Sequence, residues 1–484
     1  MTDSMLVGAP YRDDSLPVEA RVSDLLGRMT RSEKIAQLGA VWPAQFSDGE
    51  SFDAERAREC AADGIGQVTR ISGSTLADAE TATRLGNSIQ RWLREETRLG
   101  IPAILHEESL HGLTALGSVV HAQSINMAAT WRPGLVEELA GYIGRTTAAR
   151  GATLVLSPIF DITRDPRWGR TEETYGEDTY LVTEFGCAYT RGVQAEGVLG
   201  CGKHLVGHGL PEGGMNRAPT HIGPRELREH FLLPFEAAVR QAGLGTMMHA
   251  YGEIDGQPCV SSHELLTGIL RDEWGFEGVV VSDYDGVNEL VVSHGVTADL
   301  AVAAAATLSA GMDMELPRTI AYGKHLERAL DDGLIDESVL DLSVSRVLRV
   351  KFEMGLFDAR ELPYVEIDQA VVQRSCQVLT VGDGARQFHV HAGLERGGGG
   401  GRQVAGDLVR DDELVDPVIV RDDHAFEAPL VAQDAGQQLV RRDTGLAVDL
   451  AVRAVSYTHL RAHETYLLIS YAVFCLKKGG GGGG

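Results

Sequence analysis

The stretch "FEGVVVSDYDGVNEL", residues 276–290, runs the apolar Val279, Val280 and Val281 into Asp283 and Tyr284. In folds built from parallel strands the chemistry sits beyond the carboxyl ends of the strands, so a catalytic side chain appears where an apolar run stops. A lone carboxylate in this place can equally cap the helix that follows. Other apolar runs decide between these readings. They are 64–71 "GIGQVTRI", 102–108 "PAILHEE", 152–162 "ATLVLSPIFDI", 198–209 "VLGCGKHLVGHG", 244–256 "LGTMMHAYGEIDG" and 306–316 "ATLSAGMDMEL". Several end on chemistry-bearing residues: His106, Glu107 and Glu108; Lys203 and His204; His249 and Tyr251; Asp313 and Glu315.

Helical patterns fill most of the gaps, and run starts fall about 30–50 residues apart, the length of a βα unit with its loops. Alternation of this kind predicts an α/β fold with a parallel sheet, most simply a TIM-type (β/α)8-like barrel, with an open doubly wound sheet as the alternative. The segment 18–41 reads as an amphipathic helical entry, with Thr30 and Glu33 spaced as a capping box. No eighth strand is evident between 318 and 360, where the pattern is helical throughout. The expected organisation is a barrel over 1–360, a linker over 361–372 and a poorly structured tail over 373–484. In the tail, glycine runs at 397–401 and 479–484 interrupt a composition without sustained period, and "VSYTHLRAHET" (455–465) resembles translated adapter sequence. That points to a frame-shifted, non-native segment.

The chain has 484 residues and a formal charge of 44 − 69 = −25. Such acidity argues against a nucleic-acid partner, whose phosphates call for clustered Lys and Arg. Six scattered cysteines without a C-x-x-C pair suggest neither a zinc ribbon nor a disulfide framework. The N-terminus shows no basic region followed by an apolar core, and the run 466–476 is too short to span a bilayer, so a cytoplasmic location without a membrane partner is expected. His204 and His208 lie four apart and "HEESLH" approaches the zinc motif H-E-x-x-H, but the latter has one residue too many, and Gly207 and Gly209 break the required helix. No metal or other cofactor is expected.

Five stretches, "IFDITRDPRWGRTEETYGEDTYL" (159–181), "GKHLVGHG" (202–209), "APTHIGPRELREHFLLPFEAAV" (218–239), "MMHAYGEIDGQP" (247–258) and "GFEGVVVSDYDG" (275–286), closely resemble the N-terminal barrel of glycoside hydrolase family 3. The likeness runs from 11–38 to about 347–358 and is greatest to the two-domain β-glucosidases and β-xylosidases. It implies that Asp283 is the nucleophile of a retaining exo-acting β-glycosidase cleaving terminal non-reducing β-D-glucosyl or β-D-xylosyl residues from an oligosaccharide or an aryl or alkyl glycoside. Glu108, Arg170, Lys203, His204 and Tyr251 would line the first sugar subsite, with Tyr284 as a wall near the leaving group. The types suit the task, since a carboxylate accepts from vicinal hydroxyls while cations donate and hold local charge. Arg170 and Lys203 are further expected to lower the pKa of Asp283. Taken singly, Arg170 could instead pair with Glu172 or Glu173, Lys203 could be a salt bridge, and Tyr251 could be core.

The single-domain N-acetylglucosaminidases of the same family carry an Asp-His dyad where this chain has Thr220 and His221, so that subgroup is disfavoured. In two-domain relatives the acid/base glutamate follows the barrel, in a part this chain does not recognisably contain. The expectation is a weak or inactive enzyme, or alternatively a non-catalytic sugar-binding or misfolded fragment.

Overall fold

The computed structural model describes residues 8–48, 51–75 and 77–358 and, as backbone, the strand residues 389–394, 404–410, 413–414 and 418–420. The chain divides into two compact units, Met1–Leu379 and Thr380–Gly484.

In the first unit the strands are β1 (Ala40–Val41), β2 (Gln67–Thr69), β3 (Ile104–Glu107), β4 (Leu154–Val155), β5 (Leu199–Leu205), β6 (Thr246–His249), the hairpin pair β7 (Glu253–Ile254) and β8 (Gln257–Pro258), and β9 (Val279–Val281). Seven form one sheet in the order β1-β2-β3-β4-β5-β6-β9. Every pair in it is parallel. Neighbouring strands are thus consecutive along the barrel, as expected when each connection is a right-handed helical crossover. Such a sheet is covered on both faces, which explains why Val279, Val280 and Val281 are all fully buried and read as an unbroken apolar run.

An eighth stave is present, at the seventh apolar run and not between 318 and 360. Met314 forms a parallel bridge with Val281, Ser282 donates to the Met314 carbonyl at 2.8 Å, and on the other side Glu315 donates to Leu38 at 2.9 Å and Thr319 to Ala40 at 2.9 Å. The curled sheet is therefore joined from β9 back to β1 through irregular backbone. The strand missed by sequence reading is β1, whose two residues follow directly on the entry helices and carry no period of their own. The helical reading of 318–360 resolves into two helices, Lys324–Asp331 and Glu337–Glu353, parted at Gly333. With φ +68 that position favours glycine.

The outer helices follow from their patterns. In Ala79–Glu96 the buried Leu85, Ile89, Trp92 and Leu93 make one apolar stripe. Several carboxylates are helix caps: Asp53 accepts from the Glu55 and Arg56 amides, Asp78 from Thr81, Asp178 from Leu181 and Asp299 from Ala301. Part of the chain's acidity is thus spent on helix starts. The capping box of Thr30 and Glu33 is formed.

In the second unit β10 (His389–Leu394), β11 (Val404–Arg410), β12 (Glu413–Leu414) and β13 (Val418–Val420) pair antiparallel around β11, a sheet that the sequence pattern did not suggest. The linker 361–372 and the adapter-like stretch lie outside the described residues.

Candidate active site

Asp283 stands two residues past the end of β9 and is 8% exposed. The backbone around it is tied down: Ser282 Oγ accepts from the Leu316 amide at 2.8 Å, and the Gly286 amide donates to the Asp283 carbonyl at 2.9 Å. Its Oδ1 accepts from the Tyr284 amide at 2.7 Å. Its Oδ2 is buried and has no hydrogen-bond partner among the described residues. Asp283 therefore does not cap the following helix Gly286–Val292, whose N-cap is Asp285.

Above β4 and β5 lies the cationic side. Arg170 meets Glu173 in a two-pronged pair, Nη2 to Oε2 at 2.9 Å and Nε to Oε1 at 3.1 Å. Its other faces reach His208 Nε2 and His204 Nε2, each at 3.3 Å. The ion pair foreseen as the bland alternative exists, but it stands inside the site, where it aims the guanidinium. Burial and the Arg170 charge hold both imidazoles well below their ordinary pKa, so each is neutral and its Nε2 accepts from Arg170. Lys203 Nζ donates to Glu108 Oε2 at 3.0 Å. Strand β5 carries an irregularity between Gly202 and Leu205, the kind of bulge that re-aims side chains beside a site.

The electrostatics of Asp283 run opposite to expectation. Burial raises its pKa, and the opposing Arg170 and Lys203 charges do not cancel that rise. The correction has a plain cause: a carboxylate inside a barrel mouth loses more hydration than two cations at a distance return.

Tyr251 and Tyr284 complete the neighbourhood. The Tyr251 hydroxyl donates to the Tyr284 carbonyl at 2.7 Å, and Arg217 lies over its ring at 4.6 Å. Tyr284 packs edge-on against Trp42 with centroids 6.0 Å apart, and its hydroxyl stands 3.3 Å from His106 Nε2.

The structure thus brings together Asp283, Glu108, Arg170, Lys203, His204, Tyr251 and Tyr284. Asp313 and Glu315, read from sequence as a further polar strand end, do not join them. Asp313 is buried against Arg271 at 2.7 Å and Ser343 at 2.7 Å, fastening outer helices to the eighth stave. Glu315 takes the amides of Ile320, Ala321 and Tyr322. Glu107 is likewise taken up by backbone, accepting from the Ser72 and Gly73 amides. Sequence reasoning missed Asp161 and Trp42, and met Glu173 and His208 only as a surface partner for Arg170 and as half of a discarded metal pair. Asp161, Glu173 and His208 lie inside quoted motifs, and Trp42 becomes findable once Ala40–Val41 is read as a strand.

His249 adds a hold on the backbone: its Nε2 accepts from the Asp283 amide at 3.2 Å while Nδ1 donates to the Ala250 carbonyl at 2.8 Å. Burial lowers its pKa to about 4, keeping it neutral.

Comparison with known proteins agrees with this geometry. Residues 30–350 match the family described as Glycosyl hydrolase family 3 N terminal domain. A beta-xylosidase of Formosa agariphila is 38% identical over 287 residues, covering 54% of this chain and 39% of its own. A periplasmic beta-glucosidase of Salmonella typhimurium is 32% identical over 347 residues, covering 70% and 43%. Among solved structures, a β-glucosidase from Erythrobacter marinus superposes with a TM-score of 0.69 at 38% identity, covering 76% of this chain and 49% of that one. The chain spans less than half the length of these relatives. With the match over 30–350 resting on a barrel whose strand ends converge as described, the chain belongs to glycosyl hydrolase family 3 through the N-terminal domain of that family.

Proposed function

We infer that the chain is the barrel of a retaining β-glycosidase acting on terminal non-reducing β-D-glucosyl or β-D-xylosyl residues through a glycosyl-Asp283 intermediate. The observation that carries this reading is the buried Asp283 Oδ2, without a partner among the described residues while Oδ1 is anchored by the Tyr284 amide. An anchored carboxylate with one free oxygen is what attack on an anomeric carbon requires. Glu108, held by Lys203, accepts from sugar hydroxyls; Lys203, Arg170 and the His204 imidazole define the floor of the first subsite. Tyr251 and Tyr284 with Trp42 form its aromatic wall. The similarity to a named beta-xylosidase and to named beta-glucosidases supports the substrate class.

A second reading, sugar binding without turnover, is favoured by the rise that burial imposes on the Asp283 pKa, a protonated carboxyl being unable to attack. One experiment tests both. The full chain is incubated with 2-deoxy-2-fluoro-β-glucosyl fluoride or its xylosyl counterpart, whose fluoride leaves without protonation, and intact mass and peptide mapping follow. The expected result is one glycosyl mass added at Asp283 and lost in Asp283→Asn. Glucose or xylose binding by calorimetry with no label from either reagent supports the second reading.

A further inference from the structure

Asp161 follows β4, is 2% exposed, and has no place in the subsite just described. Its Oδ2 stands 2.7 Å from His204 Nδ1 and 3.2 Å from the His204 backbone nitrogen. The backbone N–H can only donate, so Oδ2 accepts there, and whenever Asp161 is ionised, which burial confines to pH above about 8, the ring nitrogen beside it must donate as well. That puts the imidazole proton on Nδ1. The opposite nitrogen, Nε2, lies 3.3 Å from an Arg170 N–H donor and 3.5 Å from Asp283 Oδ2. A lone pair on Nε2 suits the guanidinium and gives the carboxylate oxygen nothing. A proton on Nε2 would collide with the guanidinium donor and would reach toward Oδ2.

We propose that Asp161 is a positioning residue that locks His204 in its Nδ1–H tautomer and so keeps Asp283 Oδ2 free of a hydrogen bond for attack on the sugar. The inference rests on the glycosidase reading above. In the step concerned, an Oδ2 lone pair forms the bond to the anomeric carbon as the bond to the leaving group breaks, the leaving group taking that electron pair. Asp161 and His204 transfer no proton in it. Wrong-tautomer effects of this kind lower turnover while geometry is preserved.

The test uses two substitutions in the full chain. In Asp161→Asn the His204 backbone N–H holds the new carbonyl oxygen in place, so the Nδ1–H tautomer persists. The amide NH2 then falls where Asp161 Oδ1 has no partner among the described residues, which affects stability and not the tautomer. In Asp161→Leu no acceptor remains, and the proton is free to move to Nε2. Two-bond 1H–15N spectra of histidine-labelled protein, with His204 assigned by loss of its signals in His204→Asn, read the tautomer directly without activity. Labelling of Asp283 by the fluoro-sugar fluoride reads the consequence.

The expected result is Nδ1–H in the unsubstituted chain and in Asp161→Asn, and Nε2–H in Asp161→Leu. Labelling in Asp161→Leu slows by roughly 10- to 100-fold, the worth of a hydrogen bond to a charged oxygen that must be broken. The reagent concentration giving half-maximal rate changes little, and Asp161→Asn stays closer to the unsubstituted chain than to Asp161→Leu. A proton on Nε2 in the unsubstituted chain overturns the proposal, as does equal slowing of both variants with the tautomer unchanged. If Asp161→Leu does not fold, the spectra of the unsubstituted chain and Asp161→Asn still decide. An unlabelled unsubstituted chain refutes the glycosidase reading instead, and the same sample's spectrum separates the two failures.

Discussion

Replacing Arg170 by Met separates structural from chemical duty at the centre of the site. The guanidinium pairs with Glu173 while a fifth of each side chain is exposed, so the loss sits at the lower end of the range for breaking a buried pair, about 3 kcal/mol. Unfolding entropy of about 2.1 cal/mol/K per residue over roughly 350 residues is about 0.7 kcal/mol/K, so Tm falls by about 4 °C. Arg170→Met combined with Glu173→Leu removes both charges and returns Tm close to that of the unsubstituted chain. The chemistry does not return with it. Losing a charged donor beside Asp283 slows labelling by the fluoro-sugar fluoride by about 10- to 150-fold, equivalent to about 1.5–3 kcal/mol. Because burial raises the Asp283 pKa and Arg170 opposes that rise, both variants also shift the pH midpoint of labelling upward, since the proposed attack needs the ionised carboxylate. Calorimetric Tm and labelling rates from pH 4 to 8 supply the assay. A double variant that labels at the unsubstituted rate would show that Arg170 serves only Glu173, and the reasoning would fall.

Lys351 is fully buried and donates to Gln37 Oε1 at 2.6 Å, and burial lowers its pKa from 10.5 to about 7. The folded state sheds this proton first, so the group's contribution is full above pH 10.5 and is lost as pH falls toward 7; Lys351→Met with Gln37→Leu should flatten that slope in denaturant melts. Burial raises Glu107 and Glu315 from 4.5 to about 7; their contribution is full below pH 4.5 and lost as pH rises to 7, and Glu315→Gln should remove part of that acid-side slope. Gly186→Ala puts a Cβ against the Phe160 ring; overpacking of about 1–3 kcal/mol outweighs the helix gain and lowers Tm. Gly27→Ala, in the helix Val18–Arg28, meets nothing within 4 Å among the described residues, and should raise stability by about 0.5–1 kcal/mol.

The parallel architecture was legible because strands buried on both faces must be apolar through and through, and seven of the eight staves carry such runs. The first strand, β1, was not, since Ala40–Val41 is held by neighbours on either side and needs no pattern of its own. Asp283, Arg170, Lys203 and His204 were legible for a related reason: their motifs are fixed in order along the chain, and each sits where an apolar run stops or shortly after.

What the linear order could not settle is which polar strand ends face the barrel mouth. His106, Glu107 and Glu108 are consecutive, yet Glu108 meets Lys203 while Glu107 turns to the amides of Ser72 and Gly73. The same holds for Asp313 and Glu315, equally acidic in sequence and wholly structural in place. By itself the sequence determined the barrel, its family and the identity of the charged groups, because covalent order and burial pattern suffice for those. Only the tertiary structure decided the sign of the Asp283 pKa shift, the sharing of Arg170 between Glu173 and two histidines, and the pairing of Asp161 with His204. Those depend on distances of a few ångströms and on lost hydration, and neither is a property of spacing along a chain.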